Sequence, residues 1–179
     1  MLIVPHNPEW VIHFEKIKKK LSKHLESIRI DIEHIGGTSI EGLSAKPIID
    51  LDIIYYDVNE FEKIKIFLEA VGYYHNGNQG IAGREVFKRN KMNYDEVLDE
   101  ITHHLYVCIF DNEELQKHLL FRDFLRLNNE VKLMYQNLKY NIANEANNDK
   151  KVYASLKELK AKTFINQVIE QAKNTFVKS

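Results

Sequence analysis

Glu33-His34-Ile35-Gly36-Gly37-Thr38-Ser39-Ile40-Glu41-Gly42-Leu43-Ser44-Ala45-Lys46-Pro47-Ile48-Ile49-Asp50-Leu51-Asp52-Ile53 reads as strand, glycine turn, short helix and strand. Side chains alternate between the two faces of a strand, so Asp50 and Asp52 point the same way. Ile48, Leu51 and Ile53 flank them in an otherwise apolar run. Two carboxylates on one such face repel unless a cation lies between them, and oxygen ligands at adjacent positions suit a hard ion such as magnesium. Gly36-Gly37 leaves the backbone bare where the chain is expected to enter a helix. A bare turn at a helix start offers N–H groups to phosphate.

Working outward, Ile28, Ile30 and Ile32 alternate with Arg29, Asp31 and Glu33, the period of a half-buried strand. Upstream, Asn7-Pro8-Glu9 has the form of a helix start, with Asn7 as its cap, and Trp10, Phe14, Ile17, Leu21 and Leu25 follow at helical spacing. The lysines between them read as a solvated face. Downstream, Ile53 to Tyr56 completes the strand, and Asn59 caps a helix that Gly72 stops. Residues 76–83 hold three of the seven glycines, either as a plain connection or as a substrate-covering lid. Arg84 to Arg89 is a short strand, and Asn90 to Glu100 a polar loop or hairpin tip. Thr102 to Phe110 is a strand with His104, Tyr106 and Cys108 on one face and His103, Leu105, Val107 and Ile109 on the other. From Asn112 onward three helical patterns follow. The fold class is therefore α+β: a mixed sheet with flanking helices over residues 1–110, and a C-terminal helical subdomain, 111–179, packed on it with the site between.

The order hydrophobic residue, Gly-Gly, short helix, then Asp-x-Asp between hydrophobics resembles the nucleotidyltransferase superfamily with its polymerase-beta-like core. Twelve residues lie between Gly37 and Asp50, as suits that pattern. His34-Ile35-Gly36-Gly37-Thr38-Ser39, Gly42-Leu43 and Lys46-Pro47-Ile48-Ile49-Asp50 resemble the signature of the GrpB family (UPF0157), and Phe121-Arg122-Asp123-Phe124-Leu125-Arg126 resembles a second one. The likeness runs from Val4-Pro5 to the last helix. It implies a nucleotidyltransferase-like fold. It also implies transfer of a nucleotidyl group from a nucleoside triphosphate to a small-molecule acceptor, dependent on magnesium or manganese. Asp50 and Asp52 are then catalytic metal ligands, and Gly36, Gly37, Thr38, Ser39 and Lys46 lie at the substrate.

Active members of the superfamily usually carry a third carboxylate on a neighbouring strand. Here that strand reads Thr102-His103-His104-Leu105-Tyr106-Val107-Cys108, resembling the family's His-Leu-His with Tyr106 in place of the second His. His104 is a base, a metal ligand or a packed polar residue, and Glu85 is the substitute acid. His103 and His104 point apart, which disfavours a joint zinc site. Arg122 and Arg126, four apart on a helix, form either a phosphate grip or surface ion pairs. Tyr153 and Lys157, also four apart, are expected to face the nucleotide by resemblance to the superfamily's helical domains. Some family members are fused to dephospho-CoA kinase, which implies an alternative: a module binding a nucleotide- or CoA-related ligand without catalysis. For an enzyme, His104 must share a face with Asp50 and Asp52, with Gly37 at the rim and Arg122 or Lys157 across the cleft.

Composition narrows the classes further. The chain has 179 residues, of which 44% are hydrophobic, enough for a packed core. A formal net charge of −1 gives no global field for nucleic acid. The single Cys108 excludes an internal disulfide and fits a reducing compartment. No apolar run reaches the roughly 20 residues of a membrane helix, and the start is too short for a secretory leader, so a soluble cytoplasmic protein is expected. The sequence holds no P-loop, nucleophile elbow or His-Glu-x-x-His. No feature assigns an oligomeric state.

Overall fold

The strands carrying Asp50 and His104 are neighbours at the centre of one sheet. In the structure, a computed structural model that describes residues 1–90 and 92–176, five strands form a mixed sheet. They are β1 (Ile30–Ile35), β2 (Ile49–Tyr55), β3 (Tyr73–His75), β4 (Arg84–Arg89) and β5 (His103–Ile109), in the order β1-β2-β5-β4-β3. Only the β2–β5 pair is parallel. Its register sets Asp50 opposite His104 and Asp52 opposite Tyr106, while β1 sets Glu33 opposite Asp52.

Alternation divides the sheet into unlike faces. One carries Ile32, Leu51, Ile53, Leu105, Val107 and Phe87, all buried. Against it pack α1 (Glu9–His24), through Trp10, Phe14, Ile17 and Leu21, and α2 (Phe61–Ala70), through Ile64 and Leu68. The other face carries Glu33, Asp50, Asp52, His104 and Tyr106 at one end and Ile54 and Cys108 at the other. Leu115 of α3 (Glu113–Leu127) covers the apolar end. With α4 (Asn129–Glu145) and α5 (Lys150–Phe176), α3 builds a second core around Leu125, Tyr135, Ile142, Tyr153 and Ala161. Leu2, Ile3, Ile40 and Leu43 enter that core, so the N-terminus and the glycine turn are packed with the helices.

Three local expectations change. The segment after Gly37 is a single 3-10 turn, Gly37–Ser39, too short to develop a helix dipole, so the helix-start argument for phosphate does not apply there. The cap ahead of α2 is Asp57, whose carboxylate accepts from the Asn59 amide at 2.9 Å, rather than Asn59. β3 is an added three-residue strand, paired to Lys88 through Tyr74 and to its neighbours. Among the described residues, no helix is long and apolar enough to cross a membrane.

Candidate functional site

Asp50 is placed by glycine. Gly36 has φ +71°, and a Cβ there would lie 2.4 Å from Asp50 Oδ2, so only a residue without a side chain lets the turn close against this carboxylate. The other oxygen, Oδ1, is 2.8 Å from His104 Nδ1. A carboxylate only accepts, so Nδ1 carries the hydrogen and Nε2 is left as the acceptor of the ring. The His104 side chain is half exposed.

Asp52 is the deeper acid, with no accessible surface. Its Oδ2 lies 3.0 Å from His118 Nδ1 on α3, and its Oδ1 is buried with no hydrogen-bond partner. Tyr106 stands between the two imidazoles, its ring centroid 6.4 Å from His104 and 6.2 Å from His118. Burial and then the Asp50 charge push the Tyr106 phenol up to about 12.

Cations face Asp50 from the loop before β2 and from α5. Lys46 lies over the buried Tyr153 ring, 4.1 Å from its centroid. Burial, followed by the charge of Lys157, lowers the Lys46 pKa, against the pull of Asp50. Lys157 is half-buried, and the Tyr135 oxygen, then Tyr153 and Asp50, hold its ammonium charged against desolvation. Neither lysine has a carboxylate within ion-pair distance among the described residues. Lys139 on α4 is buried, donates to the Ser44 carbonyl and sits 4.9 Å over the Tyr135 ring. Burial pushes it down to about 7, with repulsion from Lys157 adding to the effect.

The hydroxyls of Thr38 and Ser39 turn inward. Thr38 Oγ1 donates to the Ile48 carbonyl at 3.1 Å and meets His34 Nε2 at 3.0 Å, and Ser39 Oγ donates to the Gly36 carbonyl at 2.7 Å. His34 stacks on Phe14, and burial pushes it down to about 4, keeping it neutral. Arg122 and Arg126 are likewise engaged by protein. Arg122 bonds Asp123 at 2.7 Å, Glu33 at 2.5 Å and the His34 carbonyl at 3.0 Å. Arg126 Nη2 donates to the Ser39 carbonyl at 2.8 Å. Both tie α3 to β1 and the glycine turn. Glu85 points to the opposite sheet face, 2.6 Å from His75 Nε2, and is removed as a substitute acid. His103, on that face, meets the Tyr73 hydroxyl at 2.6 Å, and burial pushes it down to about 4.

A sequence profile described as GrpB protein matches residues 1–171. This chain belongs to the GrpB family. The Glutamate-rich protein GrpB of Alkalihalophilus pseudofirmus is 33% identical over 172 residues, covering 96% of this chain and 95% of that one. The UPF0157 protein YqkA of Bacillus subtilis is 33% identical over 79% of this chain, which spans 39% of that relative. The crystal structure of conserved protein GrpB from Enterococcus faecalis superposes with a TM-score of 0.79 at 28% identity, covering 97% of this chain and 98% of that one. Cid1 in complex with the UTP analog UMPNPP superposes with a TM-score of 0.52 at 14% identity, over 79% of this chain and 43% of that one. The fold is nucleotidyltransferase-like.

The donor set of this GrpB-family site fits a divalent ion of one kind. Among the described residues, no three His, Cys, Asp or Glu side chains converge as a metal cage. Two carboxylates on one face, one with an orphaned buried oxygen, do suit an open magnesium or manganese site completed by water and substrate phosphate oxygens. Two members of the site escape sequence reasoning. His118 is four residues before Arg122 and so shares its inward helix face, a signal present in the spacing. Lys139 lies between Leu138 and Tyr140 in α4, where nothing local distinguishes a buried lysine from a solvated one.

Proposed function

We propose that this protein transfers a nucleotidyl group from a nucleoside triphosphate to a hydroxyl of a small acceptor. One observation carries the reading: His104, 2.8 Å from Asp50, shares its sheet face with Asp50 and Asp52. Asp50 and Asp52 would hold a divalent ion, which when bound would supply neutralisation of the triphosphate's charge. Lys46 and Lys157 add fixed positive charge beside Asp50 for the same phosphates. Gly36 and Gly37 keep the rim free of side chains. His104 Nε2 takes the acceptor's proton as the acceptor oxygen bonds to the α-phosphorus, and the leaving bridge oxygen departs with its electron pair as pyrophosphate. Asp50 orients the imidazole and stabilises its positive charge.

The test is pyrophosphate release from ATP, GTP, CTP and UTP with magnesium or manganese, across a panel of small hydroxyl acceptors. Release is expected with one pairing. His104→Ala is expected to lower its rate at least a hundredfold with nucleotide affinity kept within about threefold. A second reading, binding without catalysis, is favoured by Asp52, which is fully buried beneath His118 and faces Tyr106 where a third carboxylate is usual. Nucleotide binding with no release by the wild type selects that reading.

A further inference from the structure

On the polar face, β4 contributes a half-buried cation, Arg84, with no carboxylate partner among the described residues. Arg84 is opposite Cys108 in register, and its guanidinium reaches over the Tyr106 ring with Cζ 4.8 Å from the centroid. Its Nε is buried and makes no hydrogen bond. The nearby acids are engaged elsewhere. Glu114, which faces Cys108, lies 3.4 Å from Lys117, and Glu85 is on the opposite face with His75. A guanidinium offers a planar fork of five donors, and a buried donor without an acceptor costs free energy that a ligand can recover.

The surroundings shape a subsite. Tyr106 is the common neighbour of Arg84, His104 and His118: the guanidinium is 4.8 Å from its centroid and the two imidazoles 6.4 and 6.2 Å. Lys46, from the loop before β2, and Lys157, from α5, approach Asp50, whereas Arg84 comes from β4, beyond β5. The loop before Arg84 is pinned to α3: Asn112 Nδ2 donates to the Ala82 carbonyl at 3.0 Å, and a Cβ on Gly83 would lie 2.6 Å from that nitrogen. The backbone on that side is therefore held in place around the guanidinium.

We propose that Arg84 binds an oxyanion of the second substrate, so that the acceptor is a small molecule carrying a carboxylate or phosphate as well as the hydroxyl presented to His104. This rests on the nucleotidyl-transfer reading for the word acceptor and on the unpartnered guanidinium for the anion. Arg84 fixes the acceptor's far end.

Inorganic phosphate is the probe. The Nε–H resonance of Arg84, assigned through its side-chain carbons in isotope-labelled wild-type protein, is followed during phosphate titration at constant ionic strength. A saturable shift is expected, confined to Arg84 among the arginines of the polar face and its helices. Arg84→Gln is expected to weaken phosphate binding seen at Tyr106 at least tenfold, and Arg84→Lys to restore only part of it. An Arg84 resonance that does not move, or moves linearly with the exposed Arg29, overturns the proposal. No nucleotide is present, so the two readings separate. A saturable Arg84 shift in a protein that binds no triphosphate keeps the oxyanion site and removes nucleotidyl transfer. Triphosphate binding with an unmoved Arg84 does the reverse.

Discussion

Gly36 and Asp50 occupy space that a single extra carbon would contest. The positive φ and the place of Asp50 Oδ2, where an added Cβ would collide, act together. Gly36→Ala is expected to destabilise the fold by about 1–3 kcal/mol and to displace the carboxylate, read as a lowered thermal midpoint and at least a tenfold loss of nucleotide affinity. Gly37 is constrained by packing instead, since a Cβ would lie 2.9 Å from Ala45 Cβ. Asp52 depends on His118 for its one hydrogen bond. Removing one partner of a buried pair leaves the other desolvated, so His118→Ala is expected to cost about 3 kcal/mol in urea unfolding. An unchanged urea midpoint would show that Asp52 does not need this imidazole. Asp50 and Asp52 were legible in the sequence because apolar neighbours at period two declare a strand and its faces. His118 was not, because its partner lies 66 residues away and only the fold brings them together.

At the scale of elements, the helices grip the loop that leads from the glycine turn to Lys46. Lys132 donates to the Glu41 carbonyl at 3.0 Å, Gln136 accepts from the Ser44 amide at 2.8 Å, and Lys139 donates to the Ser44 carbonyl. Positions 132, 136 and 139 share one face of α4, so this helix fixes the loop's backbone directly. Lys139 makes the grip depend on pH. Its pKa is lowered from 10.5 to about 7, so between those values the unfolded chain binds a proton that the folded chain does not. Stability therefore rises with pH from about 7 to about 10, and falls as pH drops through 7. Lys139→Met is expected to remove this slope, read as the difference between the two proteins' urea midpoints at pH 6.5 and pH 9.5. A constant difference would place the lysine's titration elsewhere. The groups facing Lys139 are the Ser44 carbonyl, the Tyr135 ring and Lys157, with no carboxylate among them. Long periodic segments such as α1, β2 and β5 were readable from the sequence. β3 was not, because three residues, Tyr73 to His75, are too few to show a period.

At the scale of the whole molecule, one sheet separates two jobs. Its apolar face supplies the core under α1 and α2, and its polar face meets α3, on which α4 and α5 pack. The two acids on one strand face were readable from Asp-x-Asp, and the run of helices from the change of patterning after residue 111. The sequence pointed to Lys46 and Lys157 too, but the structural use of Arg122 and Arg126 was not legible in it. Arg122 and Arg126 have the residue type and spacing of a phosphate grip, yet α3 uses both to hold β1 and the turn. Lys46 and Lys157 lie 111 positions apart and are brought near each other only by the fold. The central claim is that this polar face binds a nucleoside triphosphate through Asp50 and Asp52. Titration calorimetry with ATP, GTP, CTP and UTP, each with magnesium, tests it most directly. The account predicts saturable heat with at least one of the four, reduced at least tenfold in Asp50→Ala and in Lys157→Met while both variants stay folded. No heat with any of the four, or heat that Asp50→Ala leaves unchanged, would contradict it.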